Sequence, residues 1–265
     1  MLPNSRSRCD INVNNHLGYL HNKFTLNWNP KKVKTTNVNL RKHDLLPNVY
    51  IGTNVVQKDI ADEVRKFIYS VKFDNTLPIL NDINNLPKDS AHSVNPTTIL
   101  DVYENKTNDP KEFMWEHYNY QFWRLTPLSL NAFIGSPIPA FITILENIIR
   151  STKFCNIDFS KLEKGTWVIQ RIEKGQEIGI HTDNGNGRVV SFVYYLTPDN
   201  WKNKDGGGLC MLNTTQKKFI RINPSFNSIA MWKVDADYSG LHYVEEVFAE
   251  NHEPRISLVG FFDLR

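Results

Sequence analysis

The sequence predicts an α+β domain whose core is a β sandwich, barrel or jelly roll framed by two helices. Three observations predict it. From about Gly165 onward the chain breaks into short β-rich runs bounded by turn residues. Two stretches upstream carry apolar residues at helical spacing. The chain has 265 residues, 40% hydrophobic and 22% charged, which is long enough to bury a core without crosslinks and too apolar for a disordered protein.

Taken in order, residues 1–45 are rich in Asn, Lys and Arg with no sustained period and read as an extended or mobile N-terminal arm. Residues 46–265 read as a single domain. Its first helix is expected from about Gln57 to Val71, where Ile60, Val64, Phe67, Ile68 and Val71 form one stripe. A second helix starts at Ser136-Pro137, a cap residue followed by proline at the first helical position. Its stripe is Ile138, Phe141, Ile142, Leu145, Ile148 and Ile149. Both stripes suit helices laid on one face of a sheet. Between them the chain is irregular and ends in an aromatic group, Trp115, Tyr118, Tyr120, Phe122 and Trp123. Core packing and cross-strand pairs are its ordinary meaning, and a substrate-facing wall is the alternative. Strands are then expected over Thr166–Ile172, Val189–Leu196, Gly208–Leu212, Lys218–Ile222, Ser228–Val234, His242–Val244 and Arg255–Phe262.

Composition narrows the function. Lys plus Arg number 31 against 28 Asp plus Glu, a net +3 without a basic block, so neither a nucleic-acid nor a membrane-surface partner is expected. Cys9, Cys155 and Cys210 are too few and too far apart for a disulfide framework or a metal knuckle. The N-terminus lacks the apolar run of a signal peptide, and no stretch approaches the ~20 apolar residues of a membrane span. A reducing cytoplasmic setting is therefore expected, with the sequons at Asn105 and Asn213 read as chance.

Chemistry enters at Gly179-Ile-His181-Thr-Asp183. His and Asp one residue apart point the same way from an extended segment, so an imidazole and a carboxylate can reach one ion from a single strand end. Such a pair is common on surfaces, and its meaning depends on a third ligand. His242, at the start of another short strand, offers one. Two His and one carboxylate on one face of a metal, with the other positions open, form the facial triad of non-haem Fe(II) oxygenases. A structural zinc site would instead be closed and sulfur-rich. Arg255 follows among apolar neighbours that suggest it points into a barrel. A buried guanidinium needs a partner: a bidentate carboxylate ligand, or a protein acid at the strand edge. Ser257, on the same strand face, can donate to the same carboxylate.

In order, His181-Thr-Asp183, Tyr194-Tyr195-Leu, Asp205-Gly-Gly-Gly-Leu, Pro224-Ser-Phe-Asn, His242 and Arg255-Ile-Ser257 resemble the Fe(II)- and 2-oxoglutarate-dependent dioxygenases, most closely the prolyl-hydroxylase branch. Arg188-Val-Val-Ser-Phe-Val-Tyr-Tyr-Leu-Thr, with Trp201 and the glycines, is similar to the ribosomal-protein prolyl hydroxylases. The resemblance covers roughly residues 165–265. It implies an α+β fold with a double-stranded β-helix (jelly-roll) core supported by N-terminal helices. It implies His181, Asp183 and His242 as iron ligands and catalytic centre, and Arg255 with Ser257 as the clamp on the distal carboxylate of 2-oxoglutarate. One strand tyrosine, Tyr194 or Tyr195, would join the cosubstrate, since alternation puts them on opposite faces. The implied cofactors are Fe(II), 2-oxoglutarate and O2, with ascorbate as an auxiliary reductant.

The implied reaction hydroxylates an unactivated C–H of an amino-acid side chain, free or in a peptide or protein, releasing succinate and CO2. A small natural product is the alternative substrate, and Arg171 and Arg188 are further residues able to touch either. Departures from the family pattern are Ile172, where many relatives carry tyrosine, and the long segment from His242 to Arg255, whose His252 is a rival third ligand. The nucleic-acid demethylase branch carries a second Arg further along the last strand, where this chain has Phe261. Two other classes share the residues: a metal-free jelly-roll binding module, and a zinc hydrolase that would leave Arg255 without a purpose.

Overall fold

The computed structural model describes residues 38, 40–70, 121–124, 136–183, 187–234, 240–250 and 254–264. Among the described residues, eleven strands make two sheets. In chain order these are β1 (Arg41–His43), β2 (Leu46–Thr53), β3 (Gln121–Arg124), β4 (Leu162–Ile172), β5 (Ile178–His181), β6 (Arg188–Tyr195), β7 (Leu209–Asn213), β8 (Lys218–Ile222), β9 (Ser228–Lys233), β10 (His242–Val244) and β11 (Arg255–Leu264). The larger sheet runs β1-β2-β9-β6-β11-β4-β3 and the smaller β5-β10-β7-β8. Every pairing is antiparallel. This is the jelly-roll arrangement that the sequence predicts.

Alternation on the central strands builds two cores. Val190, Phe192 and Tyr194 of β6, Ile256, Leu258 and Phe262 of β11, and Ile229 and Met231 of β9 face the helices α1 (Lys58–Ser70) and α2 (Ile138–Ser151). The helices present the expected stripes, Ile60, Val64, Phe67 and Ile68 on α1 and Ile138 to Ile149 on α2. The cap of α2 lies one residue later than expected: Pro137 is the N-cap, while the Ser136 hydroxyl accepts the Ile138 N–H at 3.3 Å. The opposite set, Val193, Tyr195, Ala230, Trp232 and Ile172, turns inward and meets Leu209, Met211, Ile222 and Val244 of the smaller sheet. That space between the sheets holds the site.

Of the stretch expected as an arm, residues 1–37 and 39 lie outside the described residues, while Arg41–His43 form β1 on the edge beside β2. β2 in turn pairs with β9, Val49 opposite Trp232. Asn227, whose φ of 53° is one that Asn tolerates, leads into β9 and fastens this distant join. Its side chain accepts from the Val56 N–H and donates to the Val56 carbonyl, a residue 171 positions away in sequence. Of the aromatic group, Trp115, Tyr118 and Tyr120 lie outside the described residues, and Phe122 and Trp123 fall within β3. No disulfide joins Cys155 and Cys210 among the described residues. No helix among the described residues is long and apolar enough to cross a membrane. The Asn213 side chain donates to the Leu45 carbonyl and accepts from the Gln216 N–H, so it is committed inside the fold.

Candidate active site

His181 ends β5 and His242 begins β10, and the two are register partners. Their rings lie 4.2 Å apart between centroids. Asp183, two residues past β5, brings its carboxylate to both: Oδ1 is 3.9 Å from His181 Nε2 and Oδ2 is 3.8 Å from His242 Nε2. These separations are too long for hydrogen bonds, yet one donor atom from each residue lies within 4.8 Å of the others. Donors that converge without bonding one another suit a shared cation. The far nitrogens of both rings support this. His181 Nδ1 meets the Gly179 carbonyl at 2.7 Å and His242 Nδ1 meets the Gly240 carbonyl at 2.7 Å. A carbonyl only accepts, so each Nδ1 carries the proton and each Nε2 keeps its lone pair for a metal. The donor set therefore fits Fe(II) in the open facial arrangement. The rival His252 lies outside the described residues.

Ser191 of β6 donates to Asp183 Oδ2 at 2.6 Å. Arg188, at the start of the same strand, donates from Nη1 to the Asp183 carbonyl at 3.3 Å and lies over the Phe261 ring at 3.8 Å. The position at which demethylases keep a second Arg thus holds an aromatic platform for a different one.

Arg255 opens β11 opposite Ile172 and is only 1% exposed. Its Nε donates to the Gly207 carbonyl at 2.7 Å, its Nη1 donates to Ser257 Oγ at 2.9 Å, and its guanidinium carbon lies 5.2 Å from the Tyr195 ring centre. Those three neighbours are neutral. The Asp205-Gly-Gly-Gly turn makes the first contact possible. Gly206 and Gly207 have φ of 71° and 67°, a Cβ on Gly206 would collide with the Glu246 carbonyl, and one on Gly207 would come within 2.8 Å of Arg255 Cδ. Outside the same turn, the Arg221–Glu245 pair, at 2.6 Å, holds it by accepting the Gly208 N–H on Glu245.

The two tyrosines part company here. Tyr195 is fully buried facing Arg255, and its hydroxyl has no hydrogen-bond partner among the described residues. Burial pushes its phenol up to about 12, against the pull of the Arg255 guanidinium. Tyr194 turns to the helix side, stacks near Phe141 and donates to Asn227 Oδ1 at 2.8 Å. Of the two tyrosines the sequence leaves open, strand alternation sends Tyr194 to the other core and leaves Tyr195 on the face of Arg255. Ser257 stands beside Arg255 as expected, but its proton goes to Gln170 Oε1 at 3.2 Å. Arg171 belongs to the helix side, paired with Glu173 at 2.6 Å. Sequence reading missed Gln170, Ser191 and the hold of Gly207 on Arg255. The glycine run was the visible signal for the last, and the two polar residues within apolar strands were the signal for the others. An orphaned hydroxyl beside a buried guanidinium fits a dicarboxylate cosubstrate.

Residues 167–263 match the family model described as the 2OG-Fe(II) oxygenase superfamily. The chain thus carries a 2OG-Fe(II) oxygenase domain and is a 2-oxoglutarate-dependent dioxygenase, with Fe(II), 2-oxoglutarate and O2 as its cofactors. Within that class its fold is of the prolyl-hydroxylase kind. A prolyl hydroxylase from Trichoplax adhaerens, in complex with a hypoxia inducible factor oxygen degradation domain peptide fragment, matches at 15% identity over 99% of this chain and 94% of that one, with a TM-score of 0.50. A prolyl-4-hydroxylase from Pseudomonas putida matches at 16% identity over 82% of this chain and 93% of that one, with a TM-score of 0.47. No curated protein matches the chain in sequence.

Proposed function

We propose that the chain hydroxylates an unactivated C–H of an amino-acid side chain of prolyl type, free or within a peptide or protein, and releases succinate and CO2. His181, Asp183 and His242 hold the iron, and Arg255 holds the distal carboxylate of 2-oxoglutarate. Tyr195 donates its free hydroxyl beside that clamp, and Ser257 and Gln170 keep the guanidinium in place. The observation that carries this reading is the convergence of two imidazoles and a carboxylate from two distant segments, with each Nδ1 on a backbone carbonyl so that both Nε2 atoms are left for a shared ion. When bound, iron and 2-oxoglutarate supply the oxidation: the keto acid loses CO2, one oxygen atom enters succinate and the other enters the substrate C–H.

The protein's share is positional. Ligands fixed at strand ends and one buried cation set the cosubstrate beside a chosen carbon. The peptide held by the Trichoplax prolyl hydroxylase supports a peptidyl substrate over a free small molecule. The lack of a disulfide between Cys155 and Cys210 suits a reducing cytoplasm.

Anaerobic titration with Fe(II) and then 2-oxoglutarate tests the reading. A visible charge-transfer band should develop, followed on admission of oxygen by slow succinate release that accelerates with proline-containing peptides. A titration that gives no band would overturn the iron and cosubstrate assignment.

A further inference from the structure

We propose that Ser191 is a positioning residue that holds Asp183 to a single metal-donor oxygen. The proposal rests on the reading of His181, Asp183 and His242 as the iron ligands and goes one residue deeper. Ser191 sits in the middle of β6, fully buried, with Trp232 of β9 opposite on one side and Phe261 of β11 opposite on the other. Strands on both sides fix its backbone, so its hydroxyl is held rigidly. That hydroxyl donates to Asp183 Oδ2 at 2.6 Å, a short, charge-assisted contact. Its neighbours in sequence, Val190, Phe192 and Val193, are apolar and buried, and packing at this position asks for no polar group.

Asp183 needs such a hold. It lies beyond the end of β5, and a carboxylate there can turn about its own axis to offer a metal one oxygen or two. An ion held by His181, Asp183 and His242 would have to keep positions open for the keto acid and oxygen, and a two-oxygen grip by Asp183 would take one of them. With Oδ2 engaged by Ser191, Oδ1 is left as the donor. The backbone is secured by the same pair of strands: Arg188 donates to the Asp183 carbonyl while its guanidinium carbon sits 3.8 Å from the ring centre of Phe261, the register partner of Ser191.

Ser191→Thr and Ser191→Val test the proposal, being matched in shape and differing by the hydroxyl. Ser191→Ala, which adds no bulk to the buried position, replaces Ser191→Val if that variant does not fold by near-UV circular dichroism. The full chain is titrated anaerobically with Fe(II), and the charge-transfer band is recorded after 2-oxoglutarate is added. Ser191→Thr should keep the band and bind Fe(II) about as the parent does, whereas the hydroxyl-free variant should bind roughly 10–100-fold more weakly and shift the band. Parental affinity and band in the hydroxyl-free variant, with binding lost in Asp183→Ala, would overturn the role of Ser191 and leave the iron reading standing. Undiminished binding in Asp183→Ala would overturn both.

Discussion

The two faces of the larger sheet are built from the same strands, yet they treat polar atoms in opposite ways. On the helix side, Tyr194 gives its proton to Asn227 and the Trp167 indole gives its own to the Phe261 carbonyl at 3.3 Å. On the inner side, the Tyr195 hydroxyl and the Trp232 indole N–H have no partner among the described residues, and Trp232 stands edge-on to His242 at 5.1 Å. A buried donor left unpaired costs about 1–3 kcal/mol. The helix side therefore behaves as a finished core. The inner side leaves two buried donors unpaired, as suits the proposed ligand site.

Four experiments can break or sharpen that contrast. The largest effect belongs to the triad. His181→Ala, Asp183→Ala and His242→Ala should each reduce succinate formation to background, and a His242→Ala variant with full activity would remove His242 from the iron. Arg255→Ala comes next: the dissociation constant for 2-oxoglutarate should rise by roughly 100-fold, as expected when one partner of a buried charge pair is lost, while Fe(II) affinity changes little. Titration calorimetry of both ligands would separate the two. The tyrosines give the sharpest test, because the same substitution should act differently one residue apart. Tyr194→Phe should lower stability by about 1 kcal/mol through its lost hydrogen bond to Asn227 and leave 2-oxoglutarate binding unchanged. Tyr195→Phe should raise the stability of the ligand-free protein by about 1 kcal/mol, because it removes an unpaired buried donor, and weaken 2-oxoglutarate about tenfold. Denaturant midpoints and binding curves for the pair decide it, and equal behaviour would erase the distinction between the faces.

The smallest effect concerns pH. Burial raises the Cys210 thiol from 9.0 to about 12, the Tyr195 phenol from 10.0 to about 12, and the Tyr194 phenol well above 10.0. Once the pH passes the ordinary values, the unfolded chain releases these protons while the folded chain keeps them. The folded state then binds more protons, and stability must fall as pH rises. The contribution is whole below about pH 9 and disappears as the pH climbs through about 12. Denaturation midpoints across that window should decline, and less steeply for Cys210→Ala.

Much of this was legible in the sequence because its signals are local. β8 and β10 run over the expected residues, and β4, β6, β7, β9 and β11 differ from expectation only at their ends. His181 and Asp183 announce themselves by spacing, and His242 and Arg255 by their order behind them. What stayed hidden depends on distant partners. β2 reads Leu46-Pro-Asn-Val-Tyr-Ile-Gly-Thr53, whose Pro, Asn and Gly argue against a strand until β9 is set beside it. β5 is too short for periodicity to show, and it becomes a strand because His242 pairs with His181. Tyr194 and Tyr195 are indistinguishable in sequence. Only the helices on one side and Arg255 on the other tell them apart. Ser191 stands in an apolar run, and the carboxylate that explains it comes from a different segment.

The Asn227 fastening of Val56 and the pairing of β2 with β9 carry a consequence for how the chain is made. A ribosome that has delivered β2 must still add most of the protein before its partner strand exists, and closure of so long a loop is slow. Until then β2 is an unclaimed ribbon of hydrogen-bonding groups, open to the wrong neighbour. β1, with Arg41 and Lys42 exposed along its far side, puts charge on that vulnerable flank during the wait.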